Sequence, residues 1–455
     1  MGKENKAFRL QADLEGDRFR IAAGETEVQT DPESRARVQI AEKDYAGRFL
    51  EGIRETEKGP EKKGIGKRIV IEGSLGDAVR KRYWPAIREY FNSGLIDIWL
   101  TDIQDKMPDY LKEFLTEDIE HQSRIRYLNK DRGLESRGYR NLSDIDDVFI
   151  ATWDSTHCDI AMKWLGRARR IFIEKPLDSS LKRAERLLNE IEKHNYGTEV
   201  LCFDHYRAKA LPLRQNINGY LDMLDRNIKK ISFYLTEPRT IEAEGRVKAL
   251  REGLILDLLP HLFALLMYIG PLDSITKNQI EIMGAKYRNA KIPNETFAAA
   301  RFPMKSYGHD EITVEAFVGK AVGRSDDPAM YHHPIPQKTE IKYFEIENNS
   351  VKRKRLRFDF ALEPPKLFYL EDDPPKEIGL GDLDGTPHHS LIDSIIRDTY
   401  DENPRGFYIG EGVKILDLLE ACRNRCKTSG VGTYNVGEPP ENICRILAFP
   451  SAIYK

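Results

Sequence analysis

The stretch "DIDDVFIATWDSTHCDIAMKWLGRARRIFIEKPLD", Asp144–Asp178, contains the unit from which the first domain is built. Its two ends, "DIDDVFIAT" and "RRIFIEKP", are short apolar runs typical of parallel strands that are buried on both faces. The segment "HCDIAMKWLGRA" between them has helical spacing. A strand, a helix and a strand in this order predict a crossover unit of a parallel sheet. Ligands of such sheets bind at the carboxyl ends of the strands, where Lys175 lies.

The same alternation of strands and helices extends in both directions from this unit. The further predicted strands are 67–73, 95–103, 124–128 and 198–206. A helix that stops at Gly94 follows the first of them, and another helix precedes the last. The pattern predicts an α/β Rossmann-type dinucleotide-binding domain over residues 67–205.

After residue 228 the chain contains β-rich runs without regular helices between them, which predicts an antiparallel sheet. We expect residues 206–455 to form an α+β domain with an open antiparallel sheet, used for substrate binding and for homo-oligomerisation. A helix over Asp257–Tyr268 should pack between the two domains. Two amphipathic helices are predicted near the end, at 389–400 and 410–425.

Residues 1–66 are predicted to be an N-terminal extension and linker. The segment 7–30 alternates weakly around Gly16 and indicates a hairpin. The segment 55–67 is charged and rich in Gly and Lys, as linkers are.

Composition indicates a soluble globular protein with two domains. The 455 residues include 40% hydrophobic and 32% charged side chains, and the net charge is −3. This balance gives no reason to expect a nucleic-acid or membrane partner, so a small molecule is the expected partner.

The apolar segment Glu252–Gly270 contains Asp257, Pro260 and His261, which favours a buried helix over a membrane span.

The cysteines are few and scattered, which predicts reduced thiols in a cytoplasmic protein. Cys422 and Cys426 are one helical turn apart, but no second Cys/His pair completes a zinc site, and no metal is expected. The charged start of the sequence does not match a signal peptide, and Lys6 does not fit a myristoylation signal.

Three strand ends carry residues suited to a dinucleotide. Gly73 and Gly76 allow a tight turn before a helix whose N–H groups can face a diphosphate, although G-x-x-G alone is a weak signal. Asp102 at the end of the second strand can accept hydrogen bonds from a ribose and repel a 2′-phosphate, so NAD is expected and NADP is possible. Thr152 and Trp153 can line the nicotinamide cleft. His157 nearby is interpreted as a helix cap.

Two clusters of polar residues are candidates for substrate binding and for acid–base chemistry. Asp204, His205, Tyr206 and Lys209 lie within six residues and suit a phosphate or a sugar hydroxyl face, although a solvated loop is the alternative. Asp257 and His261 are four apart and share one helical face, provided that Pro260 lies in the first turn of the helix. A histidine beside an acid in an apolar setting is a candidate general base, and a satisfied buried pair is the alternative.

Together these motifs resemble known enzymes. The segment 150–178, with its Glu-Lys-Pro, resembles the glucose–fructose oxidoreductase / inositol dehydrogenase (Gfo/Idh/MocA) family. "GSLGDAVRKRYWPAI", "FDHYRAKA", the segment 235–261 and "VEAFVGKAV" followed by "TEIKYFEI" resemble glucose-6-phosphate dehydrogenases. The resemblance covers roughly 67–425, in patches, and implies an NAD(P)-dependent oxidoreductase that transfers hydride between a nicotinamide cofactor and a hydroxyl of a sugar phosphate.

The resemblance also implies roles for individual residues. Lys175 would bridge substrate and nicotinamide, His261 would take the hydroxyl proton, and Asp204 would orient His261. The cofactor residues would be Gly73, Ser74, Leu75, Gly76, Asp77, Asp102, Thr152, Trp153, Glu174 and Lys175. The substrate residues would be His205, Tyr206 and Lys209 for a phosphate, and Glu237, Asp257 and Lys320 for sugar hydroxyls.

Several departures keep other functions open. The three-residue gap between Asp257 and His261 is that of inositol dehydrogenases, and Ala210 stands where glucose-6-phosphate dehydrogenases carry Glu. A dehydrogenase of an unphosphorylated sugar or cyclitol is therefore an alternative. A non-catalytic dinucleotide-binding regulator is another, although Lys175, Asp257 and His261 argue against it.

Overall fold

The computed structural model describes most of the chain from residue 66 onwards and two short strands before it. The described residues are 18–20, 27–29, 66–102 without 75 and 77, 125–129, 142, 144–248, 250–308, 310–323, 341–348, 354–362, 365–371, 375–379, 386–397, 399–400 and 406–449.

Strands and helices are numbered here along the chain. The described strands are β1 (Arg18–Arg20), β2 (Glu27–Gln29), β3 (Lys67–Glu72), β4 (Ile96–Asp102), β5 (Ile125–Asn129), β6 (Ile145–Ile150), β7 (Ala168–Glu174), β8 (Glu199–Phe203), β9 (Ile228–Glu237), β10 (Glu281–Tyr287), β11 (Phe297–Lys305), β12 (Glu311–Lys320), β13 (Ile341–Asn348), β14 (Arg355–Asp359), β15 (Lys366–Tyr369), β16 (Lys376–Ile378), β17 (Phe407–Tyr408) and β18 (Val431–Tyr434). The described α-helices are α1 (Trp84–Asn92), α2 (His157–Trp164), α3 (Leu181–Lys193), α4 (His205–Lys209), α5 (Leu211–Gln215), α6 (Ile217–Met223), α7 (Leu254–Leu266), α8 (Pro387–Ile396), α9 (Ile409–Ser429) and α10 (Pro440–Ile446).

The N-terminal pair is a correction to the predicted hairpin. Strands β1 and β2 pair antiparallel, with Phe19 opposite Val28. Both strands lie after Gly16, around which the hairpin was predicted, and Gly16 itself lies outside the described residues. The predicted linker up to residue 65 lies outside the described residues.

The first sheet confirms the Rossmann-type prediction. Within the described part of the chain its order is β17-β8-β7-β6-β3-β4-β5, and every neighbouring pair is parallel except β17 with β8. All six predicted strands and their order along the chain are present. Parallel strands buried on both faces need apolar residues at successive positions, and Ile69, Val70 and Ile71 of β3 are fully buried.

Helices cover both faces of this sheet. On one face, Ile69 and Ile71 pack with α1 and with α8, whose Leu391 and Ile392 belong to the same apolar cluster. On the other face, Val70 joins the cluster that contains residues of α2, α3 and α9. A π-helical turn, Val79–Tyr83, precedes α1. The first sheet and the helices on its two faces thus form three layers, and the carboxyl ends of the parallel strands lie along one edge of the sheet.

The second sheet is mostly antiparallel, as predicted. Among the described residues its order is β16-β15-β14-β13-β9-β12-β11-β10-β18. The pairs β9–β12 and β10–β18 are parallel, so the sheet is mixed rather than purely antiparallel. Strands β14 to β16 and β18 were not predicted, because runs of three to five residues carry little periodicity.

Helix α7 lies between the two sheets and corrects one detail of the prediction. The helix begins at Leu254, so Pro260 is inside it and not in its first turn. Proline has no N–H to donate to the carbonyl of Leu256, and tertiary packing overrides that cost here, since 12 of the 13 residues are buried. None of the helices within the described ranges is long and apolar enough to cross a membrane.

Two late segments return to the first sheet. Helix α8 packs on α1, and β17 pairs antiparallel with β8 through Phe407 and Tyr408. The predicted 206–455 domain therefore contributes to both sheets, and its boundary at residue 205 stays a prediction.

Candidate active site

The glycine turn after β3 is compact. Gly73 has a φ of +83°, and a Cβ there would lie 2.8 Å from the carbonyl oxygen of Ala151, so only glycine fits without strain. The Gly76 N–H donates to the Gly73 carbonyl at 2.9 Å. Ser74 is buried in the same turn. The predicted cofactor residues Leu75 and Asp77 lie outside the described residues. The turn leads directly into the helical segment that ends in α1, as a diphosphate site requires.

The remaining predicted cofactor residues lie at the carboxyl ends of three strands. Asp102 is the last residue of β4 and is buried. Thr152 and Trp153 follow β6, and the Trp153 side chain is 61% exposed, as a ring available for stacking would be. His157 is not a helix cap, which corrects that interpretation: it is buried and its ring nitrogens lie 2.9 Å from the Pro176 carbonyl and 3.1 Å from the Thr152 carbonyl. It bridges two strand ends of the cleft.

Lys175 follows β7 directly and reaches helix α7. Its Nζ donates to Asp257 Oδ1 at 2.7 Å and to the Asp257 carbonyl at 2.8 Å. Arg246 donates to both carboxylate oxygens of Asp257 at 3.3 Å. Burial alone would raise the pKa of Asp257, but Lys175 and Arg246 outweigh burial and hold it well below its usual range. Asp257 is therefore ionised and fixes the ammonium group of Lys175 in the cleft.

One turn further along α7, His261 pairs with Asp204 and not with Asp257. The two side chains are almost fully buried, and Nδ1 of His261 donates to Oδ2 of Asp204 at 2.6 Å. Burial lowers the pKa of His261 and outweighs the opposing effect of Asp204, so the imidazole is neutral. With its proton on Nδ1, the ring carries its lone pair on Nε2. Asp204 is itself fixed, because its Oδ1 accepts from the Arg207 N–H at 2.9 Å.

The predicted phosphate residues lie on the short helix α4, beside this pair. The His205 and Tyr206 rings lie 4.9 Å and 4.6 Å from the His261 ring, between centroids. Nδ1 of His205 is buried and has no hydrogen-bond partner in the described part of the chain. Burial first and Arg82 second lower the pKa of His205 well below its usual value. Lys209 is on the same helix, four residues from His205.

The opposite wall of the cleft is a series of ion pairs with alternating sign. Glu237, at the end of β9, contacts Lys320 and lies 3.0 Å from Lys342. Lys320, at the end of β12, also lies 2.8 Å from Glu244. Glu244 lies 4.0 Å from Arg246, which binds Asp257. The predicted residues Glu237, Asp257 and Lys320 are thus brought together, and the series ends at Lys175.

Sequence reasoning missed several residues of the site. Glu244, Arg246 and Lys342 lie inside quoted motifs, but their pairing depends on distances across the sheet and could not be read from spacing.

Arg82 is exposed on the turn before α1, and its charge lowers the pKa of both His205 and Glu174. His388 comes from α8 and contacts Glu174 at 3.1 Å. An Arg-rich helix start was the available signal for Arg82.

The described residues contain no cluster of three or more side chains that could hold a metal ion, and the five cysteines are buried and free. The cleft carries carboxylates, ammonium groups and imidazoles at the carboxyl edge of a parallel sheet.

Comparison with known proteins finds a family match for part of the first domain. Residues 100–200 match the model of GFO_IDH_MocA, the oxidoreductase family with an NAD-binding Rossmann fold. This segment is similar to the NAD-binding domain of that oxidoreductase family. The resemblance to that family is confirmed, and so is the cofactor class. No protein of the curated set matches the sequence.

Solved structures share the fold over most of the chain. A glucose-6-phosphate dehydrogenase in complex with glucose 6-phosphate is 16% identical, with a TM-score of 0.56, and the match covers 85% of this chain and 98% of that one. The WlbA dehydrogenase of Bordetella pertussis in complex with NADH and UDP-GlcNAcA is 14% identical, with a TM-score of 0.53, over 80% and 98% of the two chains. The aldose-aldose oxidoreductase of Caulobacter crescentus is 12% identical, with a TM-score of 0.53, over 80% and 98%.

Proposed function

We propose that this protein is an NAD(P)-dependent dehydrogenase that oxidises a hydroxyl group of a sugar phosphate, or catalyses the reverse reduction. The observation that supports this most directly is a pair of contacts one turn apart on α7: Asp257 holds the ammonium group of Lys175, and Asp204 holds the neutral imidazole of His261. A bound nicotinamide supplies the hydride acceptor. The side chains of the chain supply the proton acceptor, the orientation and the electrostatics.

His261 is the proposed general base. Its Nε2 accepts the hydroxyl proton, and the resulting imidazolium is stabilised by the ionised Asp204 at Nδ1. Because the pKa of His261 is lowered, the ring is in the accepting form at neutral pH.

Lys175 is the proposed orienting group. Asp257 holds its ammonium by two hydrogen bonds, which leaves the third N–H available to a substrate oxygen. A donor fixed before the reaction stabilises the developing alkoxide more than a mobile one does.

The alternating ion pairs suit the hydroxyl groups of a sugar. Each hydroxyl can donate to a carboxylate such as Glu237 and accept from an ammonium such as Lys320. Lys342 and Arg246 extend the series to four cations and three carboxylates. Such a wall recognises several hydroxyls at fixed positions.

The α4 end supports a phosphate on the substrate. His205 carries a buried nitrogen without a partner in the described residues, Tyr206 lies beside it, and Lys209 is on the same helix. The charge of Arg82 acts on the same histidine. A phosphate dianion here would receive charge-assisted hydrogen bonds.

A neutral sugar or cyclitol is the second candidate, and the ion-pair series favours it. Lys175, Arg246, Lys320 and Lys342 each already have a carboxylate partner, so this wall has little positive charge to spare for an anion. A cytoplasmic location and a homo-oligomer remain predictions under either candidate.

Kinetics with a matched substrate pair test the phosphate. We expect glucose 6-phosphate to be used far better than glucose. We also expect NAD to be used better than NADP, because the carboxylate of Asp102 would face and repel a 2′-phosphate. Lys209→Ala should raise KM for the phosphate ester about tenfold with little change in kcat, since a remote anchor contributes uniform binding. Lys193→Ala, which removes an exposed lysine at the end of α3, is the control and should change neither constant.

Equal use of both sugars, with Lys209→Ala silent on each, would contradict the phosphate and favour the neutral sugar. A strong preference for NADP would contradict the role of Asp102. Cofactor binding without turnover on a broad sugar panel would favour a non-catalytic regulator.

A further inference from the structure

The residues that follow β12 form a tight turn with a strained backbone. Ala321 has a φ of +58°, in the left-handed region that residues with a Cβ rarely adopt. Such a conformation persists only where the surrounding structure fixes it. Lys320, the last residue of β12, directly precedes Ala321 and belongs to the series of ion pairs in the cleft. The contacts that fix Ala321 therefore also set the backbone position of Lys320.

One side of the turn is bonded to the end of β9. The Val322 N–H donates to the Glu237 carbonyl at 3.1 Å. The ammonium group of Lys320 contacts the Glu237 carboxylate and lies 2.8 Å from that of Glu244. These two acidic side chains remain 17% and 15% exposed, so they can reach a hydroxyl group, and Lys320 sets where they stand.

The other side of the turn is bonded to residues 431–438, here called the β18 segment. The Gly437 N–H donates to the Ala321 carbonyl at 2.8 Å. The Gly323 N–H donates in return to the Glu438 carbonyl, also at 2.8 Å. A Cβ on Gly323 would lie 1.9 Å from the Gly437 carbonyl oxygen, so only glycine fits there. The β18 segment thus holds the backbone of the turn at both ends.

The Tyr434 side chain adds a third contact from the β18 segment. Its hydroxyl donates to the Lys320 carbonyl and lies 3.0 Å from Oγ1 of Thr296. Because this Oγ1 accepts from the Tyr287 N–H at 3.0 Å, it can donate its own hydrogen to Tyr434. The Thr296 carbonyl is a more distant acceptor for Tyr434, at 3.2 Å. Burial raises the pKa of Tyr434, so its hydroxyl keeps the proton that it donates to Lys320.

We propose that Tyr434 and Ala321 are positioning residues for the sugar-hydroxyl site, through which the β18 segment holds Lys320 in place. This inference rests on the proposed function for its substrate. Without the Tyr434 contact, the strained Ala321 would relax towards a negative φ and turn the peptide that joins it to Lys320. That movement would displace the ammonium group together with the carboxylates of Glu237 and Glu244, and misplaced orienting groups weaken catalysis.

A double-mutant cycle distinguishes this role from a purely structural one. Tyr434→Phe removes only the hydroxyl and should raise KM for glucose 6-phosphate, measured with NAD, about tenfold. In an Ala321→Gly background the same change should raise KM only about twofold, because glycine adopts a positive φ without strain and the turn has no tendency to relax. A tyrosine that only supported the fold would have the same effect in both backgrounds.

Hydrogen exchange gives a second readout that needs no substrate. Exchange of the Val322 N–H should be about tenfold faster in Tyr434→Phe than in wild type, and the effect should fall to about twofold in the Ala321→Gly background. Tyr307→Phe is the matched control, since it removes an exposed tyrosine hydroxyl that donates to the Met267 carbonyl at 3.0 Å. This control should change neither KM nor the exchange at Val322.

Equal effects of Tyr434→Phe in both backgrounds, in KM or in exchange, would overturn the proposal. Faster exchange at Val322 with an unchanged KM would also overturn it, because the turn would then move without consequence for the substrate. If wild type does not oxidise glucose 6-phosphate, the proposed substrate is contradicted, and the exchange cycle alone decides whether Tyr434 holds the strained turn.

Discussion

At the scale of single residues, the site depends on which partner each acidic group takes. Asp204 and Asp257 are both ionised, and Asp257 lies on α7 whereas Asp204 contacts it. Asp204 binds His261 and Asp257 binds Lys175. The first pairing prepares an imidazole to accept a proton. The second fixes a cation. Exchanging the partners would leave neither group suited to its role.

The pH dependence of sugar oxidation follows from His261. Because its pKa is lowered, the neutral base persists below the ordinary histidine value of about 6.5. Oxidation should be nearly constant at neutral pH and fall only as His261 becomes protonated on acidification. The pH profile of kcat/KM measures this.

The matched variant for this profile is His261→Asn. It should lower turnover by about a hundred- to ten-thousandfold and lose the acidic limb. Persistence of that limb in the variant would show that another group accepts the proton.

Sequence alone could indicate the residues whose roles are local and not those whose roles depend on distant partners. Lys175, Asp204 and His261 stand in motifs, and the structure joins Asp204 to His261 by a hydrogen bond, while the roles of all three stay predictions. Tyr83 and His388 contact Glu174 from 91 and 214 positions away, and no periodicity connects them.

At the scale of secondary-structure elements, helix α7 is the one that the site depends on most. Glu295, from the segment before β11, caps the start of α7, since its Oε1 accepts from the Ile255 N–H at 2.9 Å. Gly253 precedes the helix with a φ of +90°, and a Cβ there would lie 2.3 Å from the Glu295 carboxylate. The cap comes from a residue 40 positions away, so the usual local cap signal was absent.

Removing this cap should destabilise the protein. Glu295→Ala leaves the Ile255 N–H buried without its acceptor, which should reduce the free energy of unfolding by about 1–3 kcal/mol. Glu295→Gln keeps an acceptor and is the matched control. Urea denaturation measures both, and equal midpoints for Ala and wild type would show that the cap contributes nothing.

Elements with strong periodicity were predictable from sequence, and the others were not. The six parallel strands of the first sheet are apolar runs of five to seven residues that lie within three residues of the predicted bounds. Helix α7 begins three residues earlier than Asp257, because packing around an apolar helix overrides the local effect of Pro260. The strands β14 to β16 are too short for their pattern to be distinguished from that of loops.

At the scale of the whole molecule, three buried histidines from three different helices pack together. His205 lies between His261 and His388, with ring centroids 4.9 Å and 6.3 Å away. The pKa of each is lowered, chiefly by burial. Each is neutral in the folded protein and takes up a proton more readily when unfolded.

Folding stability should therefore fall on mild acidification. A histidine whose folded pKa is depressed contributes stability that is complete above about pH 6.5 and is lost as pH falls towards its folded pKa, at up to about 1.4 kcal/mol per pH unit for each group. Thermal unfolding between pH 7.5 and 5 measures the slope. His388→Gln should reduce that slope, and replacement of the 58% exposed His194 by Gln should leave it unchanged.

The outcome differs if the three histidines contribute nothing to the pH dependence of folding stability. If His388→Gln and His194→Gln shift the unfolding temperature in parallel at every pH, the lost stability comes from carboxylates elsewhere.

The two-residue strand β17 has a consequence for how the molecule can be divided. It pairs with β8, which would otherwise be the outer strand of the first sheet. Exposed outer strands offer unpaired N–H and C=O groups to other chains and promote aggregation. A fragment ending at residue 205 would lose β17 together with the cover that α8 provides, so the nucleotide-binding half cannot be excised along the linear sequence as a well-behaved separate module.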